Sequence, residues 1–317
     1  MPRTLNTRGK VASATVAGRR FFLALLFLLS AASLRPSSQV LASSAGNNEA
    51  GEKPAQSATL TSASATFPDI PFATYDSEAE RTLLDLANHA RKQAGKPMLA
   101  LDPGLCRAAR AHARAMVAAH QLSHQFDGEP SLPQRLAAAT LTQLDQEGEN
   151  VALDFNAEDG HQHLMESPPH RANLLNAEYN VIGLGVIRSG DSLYMVQDFG
   201  HALPNYSAVD IKERIATAVT RTRRGAKQPL VARRDLPTAD NAACSMAQAD
   251  KLGTSPVHQI AQRYSVLTYT TLHPEALPAS AGPVLSNRKL RAFSVGACYA
   301  RTEMYPAGVY WVVLSFE

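Results

Sequence analysis

Side chains that could bind a metal ion or transfer protons are concentrated in one part of the 317-residue sequence. Six of the ten histidines lie between residues 112 and 170: His112, His120, His124, His161, His163 and His170. Carboxylates are interspersed with them, including Glu147, Glu149, Asp154, Glu158, Asp159 and Glu166. Imidazole and carboxylate together suit a borderline divalent ion such as zinc, provided that three or four of them converge. The sequence has no His-Glu-x-x-His run, which excludes the helical zinc-peptidase arrangement.

Two helices are predicted before and at the start of this stretch. Ser77-Glu78-Ala79-Glu80 has the pattern of a capping box, and apolar residues follow at helical spacing until Gly95. A second helix is expected to begin at Asp102, an N-cap residue, with Pro103 in its first turn. Its apolar side includes His112, which we interpret as a hydrogen-bonded core histidine. The two helices are predicted to pack together.

The pattern changes to strands after the histidine-rich stretch. Val181–Ile187 and Ser192–Phe199 are rich in β-formers and are separated by the turn residues Ser189-Gly190-Asp191. This arrangement predicts a β-hairpin. Helices first and a hairpin last, with polar loops between them, predict an α+β domain that ends near Tyr206.

Several short motifs occur in a defined order within residues 76–206. They are Leu86–Arg91, Leu122–His124, Gly148–Val151, Leu164–Leu175, Ile182–Val186 and Tyr194–Phe199. In content and order this set resembles the bacterial branch of the CAP superfamily, which comprises cysteine-rich secretory proteins, antigen 5 and plant pathogenesis-related proteins. The resemblance covers about 130 residues and implies an α-β-α sandwich.

The resemblance also implies a cleft in which His and Glu side chains meet and, in several members, hold a divalent cation. His124 matches the first histidine of the family, Glu149 the glutamate of the Gly-Glu-Asn motif, and His170 the second histidine. The fourth position is ambiguous, because Glu166 is displaced by about one residue and Ser167 stands in its place. We therefore expect a three-residue site with one open position.

Other polar residues of these motifs are interpreted as structural support that holds loops through several hydrogen bonds. They are Asn88, Arg91, Arg135, Asn150, Arg171 and Asn173. Apart from the resemblance, a structural role would also suit His124 as a helix cap and Glu149 as an acceptor of backbone hydrogen bonds. The choice between these roles depends on whether the side chains share a cleft.

The first 42 residues have the three parts of a secretory signal peptide: a basic stretch, an apolar block over Phe21–Leu34 and small residues at the exit near Ala42. The block is about 14 residues long, which favours cleavage over a signal anchor. Arg19-Arg20 leaves the general secretory and twin-arginine routes open. We expect export to the periplasm or the extracellular space, followed by a disordered linker over residues 43–75.

Composition and charge indicate the class of protein and a second domain at the C-terminal end. With 45% hydrophobic and 19% charged residues, the chain is a normal folded protein, and collagen-like, coiled-coil and polytopic membrane classes are excluded. Residues 76–206 carry a net charge of −7, whereas residues 207–317 carry +6. The latter are predicted to form a small, basic α+β accessory domain, either a degenerate partial repeat of the first domain or a convergent pattern. Its basic helix is either solvated or faces an anionic polymer or lipid.

Three cysteines leave one unpaired in any arrangement. Cys244 and Cys298 share the C-terminal third and are the predicted disulfide, because an exported chain meets an oxidising compartment. Cys106 is then expected to stay reduced in the helix after Pro103. Three buried thiols are the alternative.

From these observations we predict an exported CAP-domain protein that binds a lipid, peptide or cell-envelope ligand and is not clearly catalytic. Its His/Glu cleft would accept a divalent cation, with zinc as the best match, and no organic cofactor is expected. Nucleic acid is excluded as a partner of an exported protein, and membrane contact is expected only through the leader before cleavage. The alternative is a metal-dependent hydrolase of peptide or cell-wall bonds, in which Glu149 is a ligand or a general base.

Overall fold

The fold is taken from a computed structural model, which describes residues 73–317. The helices are α1 Ser77–Gln93, α2 Pro103–Ala119, α3 Leu132–Ala139, α4 Ala157–Glu166, α5 Pro168–Leu174, α6 Ala208–Gly225, α7 Pro237–Gln248, α8 Ser255–Ala261 and α9 Ala281–Leu285. The strands are β1 Ala73–Tyr75, β2 Ala100–Leu101, β3 Leu144–Asp154, β4 Val181–Ser189, β5 Ser192–Ala202, β6 Ala232–Arg233, β7 Ser265–Thr271, β8 Ala292–Ala300 and β9 Val309–Phe316. None of these helices combines the length and the apolarity that a bilayer crossing needs.

The first sheet has the order β1-β4-β5-β3, and β2 pairs in parallel with β4. Its centre is the predicted hairpin of β4 and β5, which turns at Gly190 with a φ of 59°. Glycine adopts this left-handed conformation without a steric penalty. The hairpin prediction is therefore confirmed. Strand β3 lies beside β5 in antiparallel register, so that Glu149 is opposite Asp198.

Helices cover both faces of this sheet. Side chains of α1 and α4 pack on one face against Ile182, Leu184 and Met195, whereas α2 packs on the other face against Ile187 and Val196. Alternate residues of the same strands thus point into two separate apolar layers. The first sheet and its helices form an α-β-α sandwich, as predicted.

Two glycines of β4 let α2 approach the sheet closely. A Cβ atom at Gly183 would lie 2.2 Å from the carbonyl carbon of Leu105, and one at Gly185 would lie 2.3 Å from that of Ala109. Both distances are far inside van der Waals contact, so any side chain would push the helix away from the sheet. The Ile182–Val186 motif therefore fixes the position of α2.

The second sheet has the order β6-β8-β9-β7, with a parallel β6–β8 pair and antiparallel pairs elsewhere. Helices α6 and α9 pack on one face, and α7 and α8 pack on the other. This order matches β2-β4-β5-β3 of the first sheet. The residues 207–317, predicted as a small α+β unit, thus form a second α-β-α layer arrangement with its own apolar clusters.

Residue positions in the two sheets can be matched through their short parallel strands. Leu101 pairs with Ile182, and Arg233 pairs with Phe293. One position further along, Asp198 of β5 lies opposite Glu149 of β3 in the first sheet. At the equivalent position of the second sheet, Ser315 of β9 lies opposite Val266 of β7. The second sheet therefore has no carboxylate at either of these two positions.

Two buried arginines occupy equivalent positions in the two halves of the chain. Arg91 in α1 donates to the carbonyl oxygens of Pro97, Leu174, Asn176 and Tyr179 at 2.6 to 2.9 Å. In α6, Arg223 donates to those of Pro229, Leu285 and Asn287 at 2.8 to 3.1 Å. Each guanidinium ties the end of a helix to the turn that leads into the central strand. Arg91 thus holds this turn through four hydrogen bonds.

Polar contacts join the two halves. Gln143 Nε2 donates to Gly308 O over 3.1 Å, and Arg301 donates to the carbonyl oxygens of Thr140 and Ala137 at the end of α3. Asp145 also contacts His201 of β5 and His273 of the second half at 2.6 and 3.0 Å. The boundary near residue 206 stays a prediction.

The disulfide prediction is confirmed. Cys244 of α7 and Cys298 of β8 are bonded, with Cα atoms 5.1 Å apart. The bond joins a helix to the central strand of the second sheet and encloses a sequence separation of 54 residues. Cys106 is a buried free thiol whose sulfur accepts from the backbone N–H of Leu184.

Two predictions at the start of the fold are wrong in detail. The linker was expected to extend to residue 75, but Ala73–Tyr75 forms β1 and pairs with Ile187–Ser189. The first helix is capped by the Asp76 side chain, which accepts from Ala79 N at 2.9 Å. Glu80 cannot complete a capping box because its carboxylate pairs with Arg110. The predicted signal peptide and residues 43–72 of the linker lie outside the described residues.

Candidate functional site

Three separate elements bring the predicted site residues together. His124 follows α2, which ends at His120 in a left-handed conformation with a φ of 50°. Glu149 lies in the middle of β3, and His170 lies in α5. Because a strand fixes Glu149 while a loop and a short helix supply the histidines, the carboxylate is the rigid part of the site.

The side chains of His124, Glu149 and His170 lie close together, and we call this group the His/Glu cleft. His124 Nδ1 lies 2.9 Å from Glu149 Oε1, and the ring centroids of His124 and His170 are 6.5 Å apart. Glu149 is buried, with a side chain that is 3% exposed, whereas that of His124 is 59% exposed. A carboxylate can only accept, so His124 donates through Nδ1 and its Nε2 atom remains available to the cleft.

The buried end of the site is held by Arg135. Its Nη2 atom donates to Glu149 Oε2 over 2.5 Å, and its Nη1 atom lies 2.9 Å from Glu129 Oε1. His112 Nδ1 is 2.7 Å from the same Glu129 oxygen, and His112 Nε2 donates to Ser123 O. His112 is thus the hydrogen-bonded core histidine that was expected. Arg135 supports the loop, as predicted, and also neutralises Glu149.

Amides connect α5 to β3 and so position His170. Asn150 Nδ2 donates to the backbone oxygen of His170 at 3.1 Å. Asn173 Nδ2 donates to the backbone oxygen of Glu149 at 3.1 Å and to Asn150 Oδ1 at 3.0 Å. These bonds tie the helix that carries one histidine to the strand that carries the glutamate. Asn150 and Asn173 thus hold α5 against β3.

A second carboxyl group lies beneath Glu149. Asp198 is 1% exposed and directly opposite Glu149 in the β3–β5 ladder. Burial, together with the charge of Glu149, raises the pKa of Asp198 well above its usual range. Two adjacent buried carboxyl groups disfavour ionisation of both at once, and this effect acts on Asp198.

The pKa values of the two cleft histidines are shifted in opposite directions. The hydrogen bond to Glu149 raises the pKa of His124 despite the opposing effect of burial. Burial lowers the pKa of His170, and the nearby His124 adds to this effect. The surroundings therefore favour protonation of His124 relative to His170. Such a pair can donate and accept hydrogen bonds at one place.

These side chains do not fit a divalent cation in the arrangement that the structure shows. Both oxygens of Glu149 are engaged, one by His124 and the other by Arg135. Within residues 73–317, no three His, Cys, Asp or Glu side chains converge closely enough to hold a metal ion. A cation would have to displace a buried guanidinium from its carboxylate. Divalent cation binding stays a prediction.

The remaining predicted site residues, Asn88, Glu166, Ser167 and Arg171, take no part in the hydrogen bonds described above. Asn88 is a scaffold residue, since its amide bonds both backbone groups of Leu99. Glu166, the doubtful fourth ligand, is exposed and accepts from Gln162, while Ser167 lies between α4 and α5. Arg171 differs from its predicted role. It lies on the exposed side of α5, and its guanidinium makes no hydrogen bond within residues 73–317.

Sequence reasoning missed Asp198, Gln197 and Glu129 as parts of the site network. Gln197 and Asp198 are two adjacent polar residues within an otherwise apolar strand, which is the available signal for a buried functional pair. That Asp198 faces Glu149 follows only from the β3–β5 register, which a single sequence does not determine. Glu129 has no comparable signal because it lies in a polar loop.

Comparison with known proteins agrees with the resemblance of the sequence. The family model described as CAP, cysteine-rich secretory protein family, matches residues 84–199. The uncharacterized membrane protein YlbC of Bacillus subtilis (strain 168) is 32% identical over 124 residues. This alignment covers 38% of the present chain and 34% of YlbC, so the chain spans about a third of the length of that curated relative.

Solved structures with the same type of domain are also similar. An extracellular protein containing an SCP domain from Bacillus anthracis str. Ames is 27% identical, with a TM-score of 0.36, over 39% of this chain and 40% of that chain. A cysteine-rich secretory protein (SAV1118) from Staphylococcus aureus subsp. aureus Mu50 is 23% identical, with a TM-score of 0.32, over 39% and 38% of the two chains.

Proposed function

We propose that this chain, whose residues 84–199 match the CAP family model, is an exported binding protein whose cleft holds a polar ligand between His124 and His170. One observation carries the proposal: a buried, arginine-held carboxylate orients an exposed imidazole toward a second imidazole. Groups fixed in this way bind a ligand without first losing side-chain freedom.

Buried polar atoms around the cleft support a polar ligand over an apolar one. Within residues 73–317, Arg135 Nε, Gln197 Nε2 and Asp198 Oδ1 are buried without a hydrogen-bond partner. Such atoms are costly unless water or a ligand reaches them. A ligand with both donors and acceptors, such as a peptide or an amide-bearing cell-envelope fragment, matches this set of groups.

The second sheet is proposed to be a copy of the fold without a site. Its strand order repeats that of the first, and Arg223 repeats the contacts of Arg91. Val266 and Ser315 occupy the positions of Glu149 and Asp198. The proposed ligand would therefore bind only to the first half of the chain.

Export is part of the proposal and rests on the sequence of residues 1–42. N-terminal sequencing of protein recovered outside the cytoplasm should begin close to Ser43. Full-length protein retained in the inner membrane would instead identify the apolar block as an anchor.

Ligand binding can be tested by histidine NMR during titration with acetylated peptides and soluble peptidoglycan fragments. We expect the imidazole signals of His124 and His170 to shift together, and the His124→Ala variant to weaken binding at least tenfold. His163→Ala is the matched control, because His163 also pairs with a carboxylate, Asp154 at 2.5 Å, on an exposed surface. Equal losses in both variants, or no shifts with any fragment, would refute the proposed cleft.

The same samples distinguish the two alternatives that the sequence raised. Metal analysis of the purified protein and of the His124→Ala and His170→Ala variants tests the predicted cation. One equivalent of zinc that both variants lose would show that Arg135 yields its carboxylate to metal. Cleavage of the titrated fragments, abolished by Glu149→Gln, would favour the hydrolase over the binding protein.

A further inference from the structure

We propose that a cluster of five cations in the second half of the chain, which we call the basic corner, is a docking surface for an anionic lipid bilayer. The basic corner comprises Arg224, Lys227, Arg288, Lys289 and Arg291. It lies at the end of α6 and in the turn between α9 and β8. It is separate in the sequence from the His/Glu cleft of the first half.

Arg223 builds the corner by joining its two segments. The guanidinium of this buried residue donates to Leu285 O and Asn287 O, the residues that immediately precede Arg288 and Lys289. The turn itself is ordered by Asn287 Oδ1, which accepts from Lys289 N at 2.9 Å. Arg224 and Lys227 follow Arg223 directly, so the five cations belong to one rigid edge of the fold.

The charges of the corner are exposed and uncompensated. All five side chains belong to exposed residues, and none forms a salt bridge within the part of the chain that the structure describes. Two acidic side chains of the same half pair with other arginines, Glu213 with Arg233 and Glu317 with Arg234. Residues 207–317 carry a net charge of +6, and five of their cations belong to this corner.

An apolar side chain at the same edge favours a bilayer over a soluble polyanion. Leu230 is 57% exposed and follows Pro229, whose carbonyl oxygen accepts from Arg223 at 2.8 Å. A soluble polymer of phosphates offers nothing for a leucine to contact. A bilayer surface offers anionic headgroups for the cations and an acyl boundary for the leucine.

Lys227 occupies a backbone conformation that is better suited to glycine. Its φ is 54°, and the matching position after α1 in the first half is Gly95, with a φ of 65°. A non-glycine residue in this left-handed region is strained, so fold stability does not account for a lysine here. Replacement of Lys227 by glycine should remove one charge of the corner without loss of stability.

The test is sedimentation with phosphatidylcholine vesicles that contain or lack phosphatidylglycerol. Each cation is expected to contribute about a fivefold factor to partitioning. The variant K227G/R288A/K289A should therefore bind anionic vesicles about 100-fold more weakly than the unchanged chain. The control variant R81A/K92A/K96A removes three charges from the first half and should bind normally. All proteins are compared in the same form, so effects of residues outside the corner cancel.

A Leu230→Ala variant and a polyphosphate competitor identify the kind of partner. On anionic vesicles we expect this variant to bind about threefold more weakly, because less apolar area reaches the acyl boundary. Polyphosphate binding should be unchanged in the variant and weaker than vesicle binding. Equal binding to neutral vesicles, equal losses in the control variant, or tighter polyphosphate binding that is independent of Leu230 would each overturn the bilayer proposal.

Discussion

Arg91, whose guanidinium donates to four backbone carbonyl oxygens, should stabilise the fold and hold one side of the cleft in place. We call these four contacts the arginine clamp. We predict that Arg91→Met destabilises the protein, because it leaves four backbone carbonyl groups without their charged donor. Two of these, Leu174 O and Asn176 O, belong to the last residue of α5, the helix that carries His170, and to the turn that follows it. The variant should therefore loosen one side of the cleft while Glu149 stays fixed in β3.

The magnitude follows from the bonds that are lost. Four hydrogen bonds from a charged donor contribute about 1.5 kcal/mol each. About 2 kcal/mol is recovered because methionine does not carry the desolvation cost of a buried guanidinium, a cost that also lowers the pKa of Arg91. The free energy of unfolding should thus fall by about 4 kcal/mol. That is a large part of the stability of an ordinary domain.

Urea unfolding measures the loss, and amide hydrogen exchange locates it. We expect faster exchange around residues 174–180 and broadened His170 resonances. Arg223→Met is the matched control: it removes three equivalent bonds in the second half and should leave His170 unchanged. A loss below about 1 kcal/mol for Arg91→Met, or equal broadening of His170 in both variants, would refute the assignment of the clamp to the cleft.

Three further predictions concern the scaffold. Gly183→Ala should lower the free energy of unfolding by about 3 kcal/mol in urea titrations, because its Cβ would meet the backbone of Leu105; equal stability would contradict the close approach of α2. Reduction of the Cys244–Cys298 bond should lower the melting temperature in calorimetry, because a 54-residue separation is released in the unfolded chain; an unchanged midpoint would be inconsistent with that role. Burial raises the pKa of Asp102, but hydrogen bonds from threonine hydroxyls and helix N–H groups outweigh it and lower the pKa. The ionised Asp102 carboxylate therefore stabilises the fold fully above pH 4, and this contribution is lost as the pH falls through the folded-state pKa. Asp102→Asn keeps the helix cap but has no charge to titrate, so it should lose less stability than the unchanged protein between pH 4 and 2. Identical acid profiles would exclude this contribution.

The helices and the hairpin were predictable because local signals specify them. Asp102 caps α2 and Pro103 opens it, as the sequence indicates, and Gly190 lies at the turn between β4 and β5. The start of α1 was misplaced by one residue because Glu80 has a stronger partner in Arg110 than a helix N-terminus offers. Ion pairs with residues that are distant in sequence are not visible to a local rule.

The site was predictable in its members but not in its chemistry. The motifs indicated His124, Glu149 and His170, and the structure brings them together. The partner of Glu149 could not be read from the sequence, because Arg135 was one of six polar residues assigned to loop support. Its guanidinium pairs with the buried carboxylate. Side-chain pairing across loops decides this point, and spacing in a single sequence does not encode it.

The two sheets together show that the carboxyl pair is not a requirement of the fold. Glu149 and Asp198 are buried beside each other, which costs stability even when one is neutral and the other is paired with arginine. The second sheet has the same strand order with Val266 and Ser315 at these positions, and Ser315 is buried without any charge to compensate. An apolar and a small polar residue thus satisfy the same ladder positions at lower cost. The fold therefore does not require the carboxyl pair of the first sheet, with the arginine that neutralises it and the imidazole that it orients, and this supports the proposed ligand-binding role.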